Sequence, residues 1–308
     1  MTMTTTASRA QGWRLGAPGR LAAFGAGLLA VFAASYGAGL ALRPSAPPAE
    51  PSGGGTGGLS ATGDGYSFVP DVDVLAPGAG PDFTFRILGP DGRPVTAYRT
   101  QHERDLHLIV ASADLGWFAH VHPAIDSDGR WSVPLALPAP GTYRAFADFA
   151  VAGGPALTLG VELTAPGSPA PRPLPAPSVV DRVDGYEVVL LASVAGPGEQ
   201  EVVLRVARDG RPVTDLDPYL GAYGHLVALR AGDLAYSHVH PEDHAGEGGA
   251  GPEVAFVADL PTAGDYRLFF DFSHHGTVRT ASFTVTVPAV ATGGPVTTTA
   301  PVGHGHGR

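Results

Sequence analysis

From Asp64 onward the sequence is written twice. Asp64-Gly65-Tyr66 returns as Asp184-Gly185-Tyr186, and Asp91-Gly92-Arg93-Pro94-Val95-Thr96 returns as Asp209-Gly210-Arg211-Pro212-Val213-Thr214. His107-Leu108 returns as His225-Leu226, and Phe118-Ala119-His120-Val121-His122-Pro123 as Tyr236-Ser237-His238-Val239-His240-Pro241. Gly141-Thr142-Tyr143-Arg144 with Asp148-Phe149 returns as Gly264-Asp265-Tyr266-Arg267 with Asp271-Phe272. Matches in one order across this length define two copies of one domain, not a solenoid of short repeats. Whatever the chain folds into, each copy must be able to make it.

Within a copy, short apolar or alternating runs lie between turn dipeptides. Residues 83–88 (FTFRIL) meet Gly89-Pro90-Asp91-Gly92; 106–111 and 117–122 are apolar runs; 131–137 follow Asp128-Gly129; 141–149 and 157–164 end the copy. About seven strands in roughly 100 residues, with turns every 8–12, predict an antiparallel Ig-like β-sandwich. No stretch of the body has helical periodicity. The fold expected is all-β, with two tandem sandwiches over 64–165 and 181–288. Between them, 166–180 carry proline at nearly every second position, a semi-rigid spacer that would hold the copies apart. Tyr66, Tyr186 and the Gly-Tyr-Arg segments read as fold elements, anchored by ring packing and a hydroxyl bond.

The flanks have a different character. Residues 21–42 contain no charge, follow Arg9, Arg14 and Arg20, and precede Arg43. About 20 apolar residues cross a bilayer as a helix, and arginine ahead of them predicts a cytoplasmic tail over 1–20 and an exported body. A cleaved signal peptide is the competing reading, although the run exceeds the roughly 7–15 residues of a signal core. Residues 43–63, rich in Pro, Gly and Ser, predict a flexible linker, and 289–308 a disordered tail.

The formal charge is −10, which disfavours nucleic acid as a partner and tolerates cations. There is no Cys, so disulfides, thiolate metal sites and thiol catalysis are excluded. Met1 and Met3 are the only methionines, so the body has no thioether ligand for Cu(I).

The histidines carry the chemistry. If Gly232-Asp233 is a two-residue hairpin loop, His225 falls opposite His240, with His238 on the same face. A turn centred on Asp114-Leu115 likewise sets His107 opposite His122, with His120 beside it. Three neutral imidazoles on one face suit Cu(II), Zn or Ni. Asp148 and Asp271, each in a strand rich in aromatics, need a partner there, either a ligand or a histidine N–H. His244, His274 and His275 make the second copy the richer candidate, whereas the first has His102 in addition. The expected ligand set is His225, His238, His240, Asp271, His274 and His275, with His107, His120, His122 and Asp148 in the first copy. The competing reading is that these histidines satisfy backbone groups and tie strands together. The tail pair His304 and His306 reads as a flexible end.

The stretches 83–86, 92–96 and 141–144 resemble the YtkA/FixH-type and CopC-like exported β-sandwich domains, in both copies. That resemblance implies copper or heavy-metal handling outside the cytoplasm; the missing methionines argue against a Cu(I) carrier. The architecture also resembles anchored tandem-domain proteins of actinobacterial type. Locally, Tyr236 to His240 resembles the copper-binding strand of Cu/Zn superoxide dismutase, without that family's cysteine pair or zinc loop. No G-x-S-x-G elbow or H-E-x-x-H helix is present, so no enzyme is expected. Two functions follow: a membrane-anchored, extracytoplasmic protein binding Cu(II) or Zn, or an adhesive or assembly module with structural histidines.

Overall fold

The computed structural model describes residues 57–289, except 79, 81, 192–193, 238, 243–244 and 247–248. The expected tail, membrane helix and most of the linker (1–56) lie outside these, as do His238, His244 and the C-terminal tail from 290. Among the described residues every regular element is a strand, and no helix is long and apolar enough to cross a membrane.

The first copy contains β1 (Thr62–Gly63), β2 (Tyr66–Pro70), β3 (Phe83–Leu88), β4 (Leu106–Ser112), β5 (Phe118–Val121), β6 (Ala124–Ile125), β7 (Arg130–Val133), β8 (Gly141–Ala150) and β9 (Ala156–Ala165). The second contains β10 (Val180–Val183), β11 (Tyr186–Leu190), β12 (Gly198–Arg208), β13 (Arg211–Pro212), β14 (His225–Arg230), β15 (Tyr236–Ser237), β16 (Val239–Pro241), β17 (Glu253–Leu260), β18 (Gly264–His274) and β19 (Thr277–Val287). One sheet of the first copy runs β1-β2-β3-β7-β6 and the other β5-β4-β8-β9. The second copy repeats this as β10-β11-β12-β17-β16 and β15-β14-β18-β19. Sheets ordered A-B-E-D and C′-C-F-G are the immunoglobulin arrangement. The Gly-Tyr-Arg segments supply its tyrosine corner at the start of the sixth main strand: Tyr143 donates to the Ala139 carbonyl at 2.8 Å and Tyr266 to that of Thr262 at 3.0 Å.

The two copies are not held apart. Their C′-C-F-G sheets pack outer face to outer face, giving four layers with three cores. Even-numbered residues of β4 (Leu106, Leu108, Val110) fill the first sandwich, and Leu226 and Ala228 of β14 fill the second. The alternate residues Ile109, Ala111, Phe146, Val227, Leu229 and Phe269 form a third core between the copies. Phe118 stacks on Phe269 with ring centroids 4.1 Å apart. The proline-rich connection lies along this junction: Leu174 packs against the third core, and the amide of Arg172 donates to Asp114 at 2.8 Å. The spacer reading fails because it took account of the linker's stiffness but not of the apolar faces on either side of it.

The expected flexible linker over 43–63 is also placed from Gly57 on. The Gly57 carbonyl accepts from the amide of Tyr236 at 2.7 Å, and that of Gly58 from Nε of Arg144 at 2.9 Å. Few side chains are needed, because the segment is held through its backbone.

Candidate metal centre

At one end of the third core the apolar residues give way to histidine. His120 is the cross-strand partner of Ile109, so both face the junction, and His107 lies two residues before Ile109 on that face. His225 occupies the same place on β14 and pairs with Asp271 on β18, as His107 pairs with Asp148 on β8. Stacking the two sheets therefore brings His107, His120 and His225 together. One ring nitrogen from each lies within 4.8 Å of the others. His122, just past β5, joins them with Nε2 3.2 Å from Nδ1 of His107. The rings of His107 and His225 stack at 5.6 Å, and those of His120 and His225 lie 4.5 Å apart.

The hydrogen bond to the backbone fixes the tautomer of His107. Nε2 of His107 lies 3.0 Å from the Gln101 carbonyl, which only accepts, so that nitrogen carries the hydrogen and Nδ1 keeps its lone pair. Nδ1 of His120 donates to the Asp271 carboxylate at 2.9 Å. Nδ1 of His107 has two ring nitrogens against it, Nε2 of His120 at 3.0 Å and Nε2 of His122 at 3.2 Å. Nδ1 of His225 is buried with no hydrogen-bond partner among the described residues. An orphaned buried nitrogen beside other ring nitrogens costs free energy unless a proton or cation sits among them. Nitrogens on a tetrahedral ion about 2.0–2.1 Å away would be about 3.3–3.4 Å apart, near the 3.0 and 3.2 Å spacings among His107, His120 and His122, while the set with His225 spans up to 4.8 Å.

The surroundings keep the rings of His107, His122 and His225 neutral. Burial pulls His107 down to about 4, and neighbouring His120 adds to the shift. Burial, with His120 and His107 next, pulls His122 to about 3. His225 is driven well below the ordinary histidine range, again by burial first and His120 second. Neutral imidazole is the form that ligates a metal. A carboxylate on the outer nitrogen of one ring and a backbone carbonyl on that of another are the outer partners that metal-binding histidines use.

Two tight turns flank the cluster. In the turn Gln101–Arg104, His102 and Glu103 have φ of 45° and 63°. Its counterpart Tyr219–Ala222 has Leu220 and Gly221 at 56° and 82°. Positive φ at both central residues is the type I′ signature. The first turn positions the Gln101 carbonyl on His107 and brings the His102 ring within 5.9 Å of it.

The remaining expected residues go elsewhere. His240 does not stay opposite His225. The hairpin register is as expected, with Leu229 opposite Tyr236 and Ala228 opposite Ser237, but pairing with β14 ends there. The chain then crosses to the other sheet, where His240 pairs with Val257 on β17 and is exposed. In the first copy β5 stays with β4 through Val121, so that copy, not the second, supplies most of the cluster. His274, three residues beyond Asp271, faces the opposite side of its strand. Both its nitrogens are engaged, Nδ1 with the Tyr186 hydroxyl at 2.7 Å and Nε2 with Asp215 at 3.1 Å. His275 sits in the following turn at φ 54°. Asp148 takes the Thr158 hydroxyl at 3.1 Å and the Tyr236 hydroxyl at 3.5 Å. Asp271 takes the Thr280 hydroxyl and, across the junction, His120. The trio expected in the first copy thus comes together and is joined by His225, whereas His240 leaves the second copy's trio and His238 lies outside the described residues. The overlooked signal was that residues 108–111 and 226–229 are apolar at consecutive positions, which marks strands covered on both faces.

Fold and site together define a tandem Ig-like β-sandwich protein with a histidine cluster where its copies meet. The chain belongs to the family described as Domain of unknown function (DUF8832), which it matches twice, over residues 61–167 and 181–289. No curated protein matches it in sequence. Among solved structures it is similar to the Escherichia coli adhesin FdeC, at 14% identity over 74% of this chain and 65% of that one, with a TM-score of 0.26. Domains 4 and 5 of the S-layer protein SbsC match at 11% identity over 73% of this chain and 98% of that one, TM-score 0.21. The FN1–FN3 domains of chicken CNTN1 match at 11% over 71% and 68%, TM-score 0.21. Similarity at this level carries no argument about function.

Proposed function

We propose that this is a non-catalytic, extracytoplasmic protein, anchored through residues 21–42, that binds a divalent ion, Cu(II) or Zn. The ligands are His107, His120 and His225, with His122 completing the set. Asp271 and the Gln101 carbonyl orient the rings. The observation that carries this reading is the convergence of one ring nitrogen each from His107, His120 and His225 within 4.8 Å, with Nδ1 of His225 buried and orphaned. The resemblance to exported metal-handling sandwiches supports it, as does the acidic body. The test is calorimetric titration of the full chain in detergent, with His304 and His306 changed to Ala so that the tail cannot contribute. One ion per chain should bind with a dissociation constant below about 1 µM, and binding no tighter than that refutes the reading.

A second reading is favoured by one observation. The buried His120–Asp271 pair joins the two sandwiches without any ion, its side chains only 1% and 3% exposed. On that view the chain is an adhesive or assembly module. Zn would then leave the melting temperature unchanged, and His120→Ala would cost the same stability with or without chelator.

A further inference from the structure

We infer that the ion is a clasp between the two sandwiches, so that loading this site sets how rigidly the copies are held together. The inference rests on the metal-binding reading and adds what binding is for.

The cluster is divided between the copies in a particular way. His107, His120 and His122 come from the first copy and have nitrogens 3.0 and 3.2 Å apart without help from the second. His225 and Asp271 come from the second, and Asp271 reaches across to orient His120 rather than the His225 it pairs with in its own sheet. An ion held by both sets can be released by separating the copies only if a coordination bond or the orienting hydrogen bond breaks first. Apart from the hydrogen bonds of Tyr236 to Asp148 and Gly57, the rest of the junction consists of side chains packed by shape (Ile109, Phe146, Val227, Phe269), which resist separation but do not fix direction. Coordination is directional and short, so the ion supplies the angular constraint that the apolar core lacks. The turns Gln101–Arg104 and Tyr219–Ala222 come from different copies and approach each other at this end, a Cβ on Gly221 lying 4.0 Å from Cγ of Glu103. The His end of the junction is therefore where relative motion of the copies would first be felt.

The chain has no Cys, so paired spin labels can be placed without removing a native thiol. Arg93→Cys and Arg211→Cys occupy equivalent exposed positions of the two copies. In the full chain in detergent, the label-to-label distance distribution measured by pulsed electron resonance should narrow when Zn, which is diamagnetic, is added. It should narrow little or not at all in a His225→Ala background, where the first copy keeps its three imidazoles. If that variant does not fold, His225→Leu, which comes close to the volume and removes the ring nitrogens, replaces it. Zn binding by calorimetry on the same labelled protein with an unchanged distribution overturns the clasp and leaves the metal site standing. Equal narrowing with and without His225 also overturns it. No Zn binding at all overturns the metal-binding reading, and the clasp with it.

Discussion

At the residue scale His107, His122 and His225 are unusual in lying together without charge. In the metal-free chain they bind fewer protons folded than unfolded between their lowered values, about 4 for His107, and the ordinary 6.5. Stability is then fully present above about pH 6.5 and falls by a few kcal/mol as pH drops toward 4, because the unfolded state takes up the protons. Chelator-treated protein unfolded in urea at a series of pH values should show this slope, and a flat profile would contradict the burial of the rings. For metal binding the same shift acts in the opposite sense from habit. Three ordinary imidazoles would lose roughly a thousandfold in affinity between pH 7 and 5.5, one decade per ligand. Here the loss should be no more than about tenfold. Asp271→Asn, which removes the carboxylate that orients His120, should weaken Zn binding by about 10–100-fold while leaving one ion per chain.

At the element scale the strands divide into those the sequence discloses and those it does not. The hairpin registers were legible, since Asp-Leu and Gly-Asp turns and a period of two set Leu108 across from Val121 and Leu229 across from Tyr236. What followed Ser237 was not legible. Whether a strand continues beside its neighbour or crosses to the other sheet depends on which edge offers partners, and β17 offers Val257 to His240. The joining of His107 to His225 was equally hidden, because no local pattern states which two sheet faces will meet. Only the unbroken apolar stretches of β4 and β14 hinted that their outer faces were covered. Two substitutions test elements directly. Tyr143→Phe removes the hydroxyl bond to Ala139 and should cost about 1 kcal/mol in urea unfolding. Gly160→Ala would place a Cβ 1.9 Å from the Gly58 carbonyl. It should displace residues 57–60 from their seat and destabilise the fold by about 1–3 kcal/mol.

At the scale of the whole molecule β4 and β14, in the two middle sheets, are covered on both faces, and this separates the chain from a string of independent beads. Freed of its partner, the first copy would present Ile109, Ala111, Phe146 and the His107 ring to water as one surface. Exposed apolar surface of this kind associates. Residues 57–179 expressed alone should therefore sediment as dimers or larger species, and a monodisperse monomer would show that the outer face tolerates water. The consequence reaches past this chain to how such a gene can change. Losing or gaining one copy would leave a sticky face uncovered, whereas gaining or losing two would not. Chains built from this domain should then carry it in even numbers, which inheritance would have to add and delete as doublets.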